Sequence, residues 1–372
     1  MEKLIPYGHQ SIDKKDIEEV IKVLKSDWLT QGPKIEQFEK AITKYCGAKY
    51  AVAVSSGTAA LHSAYIVSGI KPGDEVITTP LTFAATANML VQCGAKPIFA
   101  DIKKDTLNIN PEEIEKKITH KTKAIVTVDF AGLPCDYDEV FKIAKKHNLL
   151  VIEDACHALG AEYKGKKIGS LADMTILSFH PVKQITTGEG GMILTNNKIF
   201  YNKLKIIRNH GIIKKPENGK WYYEIEEPGF NYRITDFQCA LGLSQLKKIN
   251  SFLRRRRKIV SLYKKAFEGI KKIQLPIEKK NIKSAWHIYP VGFLEGNRKK
   301  IFDYFQDNGI GVQIHYMPLH LHPFYKKRFG YKKGDFPIAE DYYDKAVTIP
   351  IFPFMTEKEI KYVIKIVKRF YG

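Results

Sequence analysis

The 372 residues contain no CxxC pair, and the five cysteines (Cys46, Cys93, Cys135, Cys156 and Cys239) are odd in number and far apart. That pattern excludes a disulfide scaffold and a cysteine-built zinc site, and it predicts free thiols in a reducing compartment. No apolar run approaches the roughly 18 residues that a membrane span needs. The opening residues, MEKLIPYGHQ, also lack the apolar stretch of a signal peptide. A cytoplasmic protein with no membrane partner is therefore expected. Repeats and low-complexity tracts are missing as well, and with 44% hydrophobic residues the chain is neither disordered nor collagen-like. What is scarce is negative charge: 40 Asp+Glu stand against 60 Lys+Arg, a formal net charge of +20.

Such an excess raises nucleic acid as a partner, and the densest basic run is Arg254 to Lys258. Through that run, however, Leu246, Ile249, Leu253, Val260, Tyr263 and Phe267 recur at three- and four-residue spacing, which predicts an amphipathic helix with the arginines on its solvated face. Lysine is otherwise spread along the chain. No nucleic-acid partner is expected, and an anionic small substrate accounts for positive potential equally well.

From about residue 50 to 195, strand-like runs at 50–54, 75–79, 97–100, 124–129, 149–153, 174–178 and 191–195 alternate with helical stretches at 58–68, 86–92, 111–117 and 137–147. Several strands are continuous apolar runs without alternation, as expected when helices cover both faces of a parallel sheet. The turns Lys71-Pro72-Gly73-Asp74 and Gly94-Ala95-Lys96-Pro97 separate helix from strand. The fold class is α/β with a mainly parallel central sheet, and residues 12–245 form a large domain. Residues 246–372 read as a smaller α+β domain containing a long basic helix, strands at 287–293 and 311–314 and a helix at 357–370, with segment 1–11 packed near it.

Ligands of such sheets bind beyond the carboxyl ends of the strands. Three apolar runs end there in polar clusters: Ser55-Ser56-Gly57-Thr58, Glu153-Asp154-Ala155-Cys156-His157 and Ser178-Phe179-His180-Pro181-Val182-Lys183. The first is a strand-to-helix turn whose free amides suit an anion, with Gly57 allowing close approach. Taken alone, it reads first as a capped helix start. Asp154 follows a strongly apolar strand and requires a cationic or hydrogen-bonding partner. Lys183 precedes a glycine-rich turn, and a lysine of depressed pKa forms a Schiff base with an aldehyde. Neither nucleotide motif stands: Gly160 to Lys167 lacks the final Ser/Thr of a P-loop, and Gly188-Glu189-Gly190 lacks the last glycine of the dinucleotide fingerprint. An anion cradle, a buried Asp and an amine at neighbouring strand ends together meet the needs of pyridoxal 5'-phosphate.

SSGTAAL, TTPLTFAATANM, EDACHALGA, SFHPVKQITTGEGG and GFNYRITDFQCALGLSQL occur in this order. They resemble the motifs of the nucleotide-sugar aminotransferases of the DegT/DnrJ/StrS type, and the resemblance covers essentially the whole chain. It implies the fold of aspartate aminotransferase, a PLP-dependent transferase of fold type I. It further implies Lys183 and Asp154 as catalytic residues, with Asp154 on the pyridine nitrogen. Gly57, Thr58 and Ser178 would hold the phosphate, Phe83 would stack on the ring, and His157 would lie near its 3-hydroxyl. Asn231 would reach the site from a second subunit of a homodimer with shared active sites. Substrate contacts are implied for Tyr7, for Asp27, Trp28, Leu29 and Thr30, for Asn231, and for a loop of His315, Tyr316, Met317 and Pro318. The histidines of that loop and its surroundings suggest a metal only weakly, because no paired carboxylate accompanies them, and no metal is expected. The likeness is strongest to the pseudaminic acid branch, which uses L-glutamate to aminate C4 of a UDP-linked 4-keto-6-deoxy N-acetyl sugar. Other C4 or C3 nucleotide-sugar aminotransferases, and a regulatory homologue without catalysis, stand as alternatives.

Overall fold

The computed structural model describes residues 4–371, so residues 1–3 of the N-terminal segment and Gly372 of the smaller expected domain lie outside the described residues. Seven strands form the central sheet: β1 (Tyr50–Val54), β2 (Glu75–Thr78), β3 (Lys96–Phe99), β4 (Thr122–Val128), β5 (Leu150–Asp154), β6 (Met174–Ser178) and β7 (Gly191–Thr195). Their order is β1-β7-β6-β5-β4-β2-β3. Every neighbouring pair is parallel except those of β7, which runs antiparallel to β1 and β6. The sheet thus points the carboxyl ends of six strands to one rim, with β1, β5 and β6 close together.

The apolar runs are continuous because both faces are buried. Along β1, Ala51 and Ala53 enter one core cluster while Val52 and Val54 enter another on the opposite side. Val151 and Ile152 of β5 divide the same way, as the two-residue period of a strand requires. Helices α1 (Lys14–Leu24), α2 (Pro33–Cys46), α3 (Gly57–Val67), α4 (Ala84–Gln92), α5 (Pro111–Lys116), α6 (Tyr137–His147), α7 (Lys198–Arg208), α8 (Asp236–Leu246) and α9 (Ile249–Phe267) connect or flank these strands. The expected strands and helices of this region are all present, with ends displaced by a residue or two.

Helix α9 joins two cores. Ile249, Phe252 and Leu253 pack with the central sheet, whereas Ile259, Val260, Tyr263 and Phe267 pack with a three-stranded antiparallel sheet of Ile273–Gln274, Tyr289–Phe293 and Ala346–Ile349. Ile5 lies in that second core. The basic run is only partly solvated. Arg254 and Lys258 are exposed, but Arg256 is 1% exposed and buried among apolar side chains. Position 256 is four residues from Phe252 and three from Leu253 and Ile259, which places it on the apolar stripe.

A second expectation fails at 311–314, which is not a strand. Gly311 donates to the carbonyl of Ile5 (2.7 Å) and Ile5 to that of Gly309 (3.0 Å). The next residue, Pro6, has no N–H to continue the ladder. Isolated bridges from Ile310 to Ile5 and from Gln313 to Thr348 are all that forms there.

Candidate active site

A cavity of about 640 Å³ opens at the rim where β1, β5 and β6 end. Its floor begins with the turn from β1 into α3. Ser56 caps α3, its side chain accepting from the Ala59 amide (3.0 Å), so the chain turns sharply and α3 starts at Gly57. The first amides of a helix have no intrahelical acceptor and favour an anion. A Cβ on Gly57 would stand 3.1 Å from the Cβ of Ser178 and 3.4 Å from the Sγ of Cys156, so this position has room only for glycine without displacing its neighbours. On the far side, a Cβ on Gly191 would meet the Ser56 carbonyl oxygen at 2.3 Å, which fixes how closely β7 supports the turn. Gly57, Thr58 and Ser178 all line the cavity.

Asp154, at the end of β5, is 6% exposed. One carboxylate oxygen accepts from the Thr86 hydroxyl (2.7 Å) and the other from the Cys156 amide (3.2 Å). Thr86 sits in α4, and its Oγ1 lies 2.8 Å from the Oγ1 of Thr82. The carboxylate is therefore held from two directions by neutral donors. Lys183, which follows β6, lines the same cavity. Loss of water around its amine lowers its pKa from the ordinary lysine value, while the nearby Cys156 and Asp154 pull the other way. The amine is thereby biased toward the neutral, nucleophilic form.

Imidazoles make up the opposite wall. His157 is 6% exposed, and its Nε2 lies 3.2 Å from the Tyr316 hydroxyl. His287 packs beside it with ring centroids 4.3 Å apart, and His315 pairs through Nδ1 with the Thr348 hydroxyl (2.9 Å). The Nδ1 atoms of His157 and His287 are buried without partners. Burial, with Lys183 nearby, lowers the pKa of all three rings, that of His315 to about 3. This wall is uncharged at neutral pH. Phe83 is 59% exposed at the mouth, its ring centroid 6.0 Å from that of Tyr316, and the ring of Tyr7 is 5.4 Å from His315.

The cavity thus gathers Tyr7, Gly57, Thr58, Phe83, Asp154, His157, Ser178, Lys183, His315 and Tyr316. Asp27, Trp28, Leu29 and Thr30 do not line it. They form an exposed turn tied to α8, with the Asp236 amide donating to the Leu29 carbonyl (2.9 Å) and the Asp236 carboxylate accepting from Gly32 and Lys34. Asn231 is also outside the cavity, exposed and bridged to Asn209. Met317 and Pro318 continue past Tyr316 into the turn at Leu319–Leu321, which is anchored by the Leu319 amide on the Pro80 carbonyl. Sequence reading missed Thr82, Thr86 and His287. Thr86 stands within the quoted TTPLTFAATANM segment, but nothing local in the sequence signals its bond to Asp154. The loop histidines do have a carboxylate nearby: His320 pairs with Glu340, 20 residues further on (2.8 Å). No group of three or more His, Cys, Asp or Glu among the described residues is arranged to hold a metal ion, and no described helix is long and apolar enough to cross a membrane.

These groups fit pyridoxal phosphate: an anion cradle at α3, a buried carboxylate lining the same cavity, and an amine of lowered pKa. Comparison with known proteins agrees. Residues 10–368 match the DegT/DnrJ/EryC1/StrS aminotransferase family. The uncharacterized protein MJ1066 of Methanocaldococcus jannaschii is 48% identical over 377 residues, spanning 99% of this chain and 98% of that protein. The UDP-4-amino-4,6-dideoxy-N-acetyl-beta-L-altrosamine transaminase of Campylobacter jejuni (serotype O:23/36, strain 81-176) is 43% identical over 366 residues, spanning 97% and 96%. Among solved structures, Helicobacter pylori PseC, an aminotransferase involved in the biosynthesis of pseudoaminic acid, is similar with a TM-score of 0.94 and 35% identity, covering 99% of each chain. The chain belongs to the DegT/DnrJ/EryC1/StrS aminotransferase family and is a transaminase of the pyridoxal-phosphate-dependent type.

Proposed function

We propose that this cavity transfers the amino group of L-glutamate to C4 of a UDP-linked 4-keto-6-deoxy N-acetyl hexose, giving UDP-4-amino-4,6-dideoxy-N-acetyl-beta-L-altrosamine for pseudaminic acid synthesis. The observation that carries the chemistry is the convergence of the α3 amides, Asp154 and Lys183 on one cavity. The choice of sugar is supported by the Campylobacter relative, which resembles this chain over nearly its whole length.

Pyridoxal phosphate supplies, when bound, an electron sink for the charge that develops as a C–H bond beside nitrogen is broken. The protein's part is to hold and move groups around it. The Gly57 and Thr58 amides and the Ser178 hydroxyl bind the phosphate. Asp154, oriented by Thr86 and the Cys156 amide, would accept from the ring N–H and keep that nitrogen protonated. Lys183, whose amine lines the cavity and is biased toward the neutral form, would hold the cofactor's aldehyde and serve as the base that moves the proton. Neutral His157, beside the Tyr316 hydroxyl, would supply a polar contact to the ring, and Phe83 at the mouth would stack on it.

On this reading Tyr7 and the His315–Pro318 loop contact the sugar side. Asn231 of the partner subunit, with the partner's Asp27, Trp28, Leu29 and Thr30, completes the site in a homodimer. The domain division at about residue 246 belongs to the same proposal, with α9 as the joint. Its test is incubation with pyridoxal phosphate, L-glutamate and a panel of UDP- and dTDP-linked 4-keto and 3-keto sugars, followed by product mass and NMR. A 4-amino product from the UDP-linked N-acetyl sugar alone supports the reading. Preference for a 3-keto or dTDP-linked sugar contradicts the assigned substrate, and inactivity on every sugar contradicts the function.

A further inference from the structure

Arg256 carries a full charge into the interior with no carboxylate at ion-pairing distance among the described residues. A buried cation without a counter-ion requires strong dipoles around it. Its Nη1 donates to three backbone carbonyls: those of Trp286 (3.1 Å), His287 (3.0 Å) and Ile351 (3.0 Å). The segments so held both lead to the cavity. His287 lines it, and its amide donates to the Ala131 carbonyl (2.9 Å). Ile351 donates its amide to the carbonyl of Tyr7 (3.0 Å), which also lines it. Trp286, between these contacts, has a left-handed backbone (φ 48°) that a non-glycine residue adopts only when its surroundings hold it there.

We propose that Arg256 is a positioning residue: one guanidinium, reaching from α9, fixes the two backbone segments that deliver His287 and Tyr7 to the cavity wall. The role rests on the reading of this cavity as the amino-transfer site. It predicts that Arg256 governs the fit of the sugar substrate and leaves the phosphate cradle and Lys183 untouched, because none of its contacts reaches α3 or β6.

The test compares Arg256→Lys and Arg256→Met with wild type, each loaded with pyridoxal phosphate. Expected in the Lys variant are unchanged cofactor absorbance and amide exchange at His287 and Ile351 faster by about tenfold, the scale of one lost charge-assisted hydrogen bond. Exchange in the strand Leu150–Asp154 should not change. KM for the UDP-linked 4-keto sugar should rise by a similar factor with kcat nearly preserved, and the Met variant should show more of each. Wild-type exchange and KM in both variants overturn the proposal. So does loss of active protein at unchanged KM, or failure of both variants to fold, since either reduces Arg256 to a structural role. Absence of turnover in wild type would instead strike the proposed function, while the exchange measurement still decides whether Arg256 holds these segments.

Discussion

On the proposed function, Lys183 and Asp154 divide the work at the residue scale. Lys183 needs to be neutral to act, and burial of its amine supplies that bias. Lys183→Ala is expected to abolish the cofactor's visible absorbance shift and to lower turnover by at least about a thousandfold. A variant with normal turnover would remove this lysine from the mechanism. Asp154→Ala should bind the cofactor yet slow transfer by about a hundredfold or more, read from kcat. His315 gives a prediction with a definite pH window. Its pKa is held at about 3 in the fold, against about 6.5 unfolded. Between those values the unfolded chain binds a proton that the native ring does not. The residue's contribution is therefore constant above about pH 6.5 and falls by about 1.4 kcal/mol for each pH unit below it. His315→Asn removes that slope. Urea unfolding at pH 8 and pH 5 should show wild type losing about 2 kcal/mol relative to the variant, whereas a gap independent of pH would place the native pKa near its ordinary value.

At the scale of elements, the start of α3 shows why much of the site was legible. Ser56-Gly57-Thr58 couples a capping residue to a glycine after an apolar strand, so the sequence already contains the anion cradle. Gly57→Ala is expected to raise the dissociation constant for pyridoxal phosphate by about tenfold or more, with only a small change in Tm, because the added Cβ crowds Ser178 and Cys156. Unchanged affinity would separate α3 from the phosphate. The same local logic identified the seven strands, since each carries its own apolar run and turn. It failed where partners are distant in sequence. Arg256 looks solvated when its run is read as a charge cluster, and only the carbonyls of residues 286, 287 and 351 show that it is buried. His287 has no motif around it, and Thr86 reaches Asp154 across 68 residues. At 311–314 the apolar alternation was present, but the pairing with Ile5 ends at Pro6 and that with Thr348 stays a single bridge at Gln313.

For the whole molecule, the residues expected in the site fall into two groups. Those around Lys183 line the cavity of the same chain, while Asn231 and the 27–30 turn lie outside it. If two chains complete each other's sites, mixing inactive Lys183→Ala and Asn231→Ala proteins should restore about a quarter of wild-type turnover, because half of the dimers are mixed and each has one intact site. No recovery after subunit exchange would mean that each chain works alone. The net charge of +20 suits the anionic ligands of the proposed function, a phosphate cofactor, a sugar diphosphate and glutamate, and on that proposal the KM for the sugar nucleotide is predicted to rise with ionic strength. The catalytic expectations depend on which amine binds the cofactor. The most direct measurement is borohydride reduction of the pyridoxal-phosphate-loaded protein, followed by proteolysis and mass spectrometry of every lysine peptide. The pyridoxyl phosphate group is predicted on Lys183 alone, and its absence there, or its presence on a different lysine, would contradict the account.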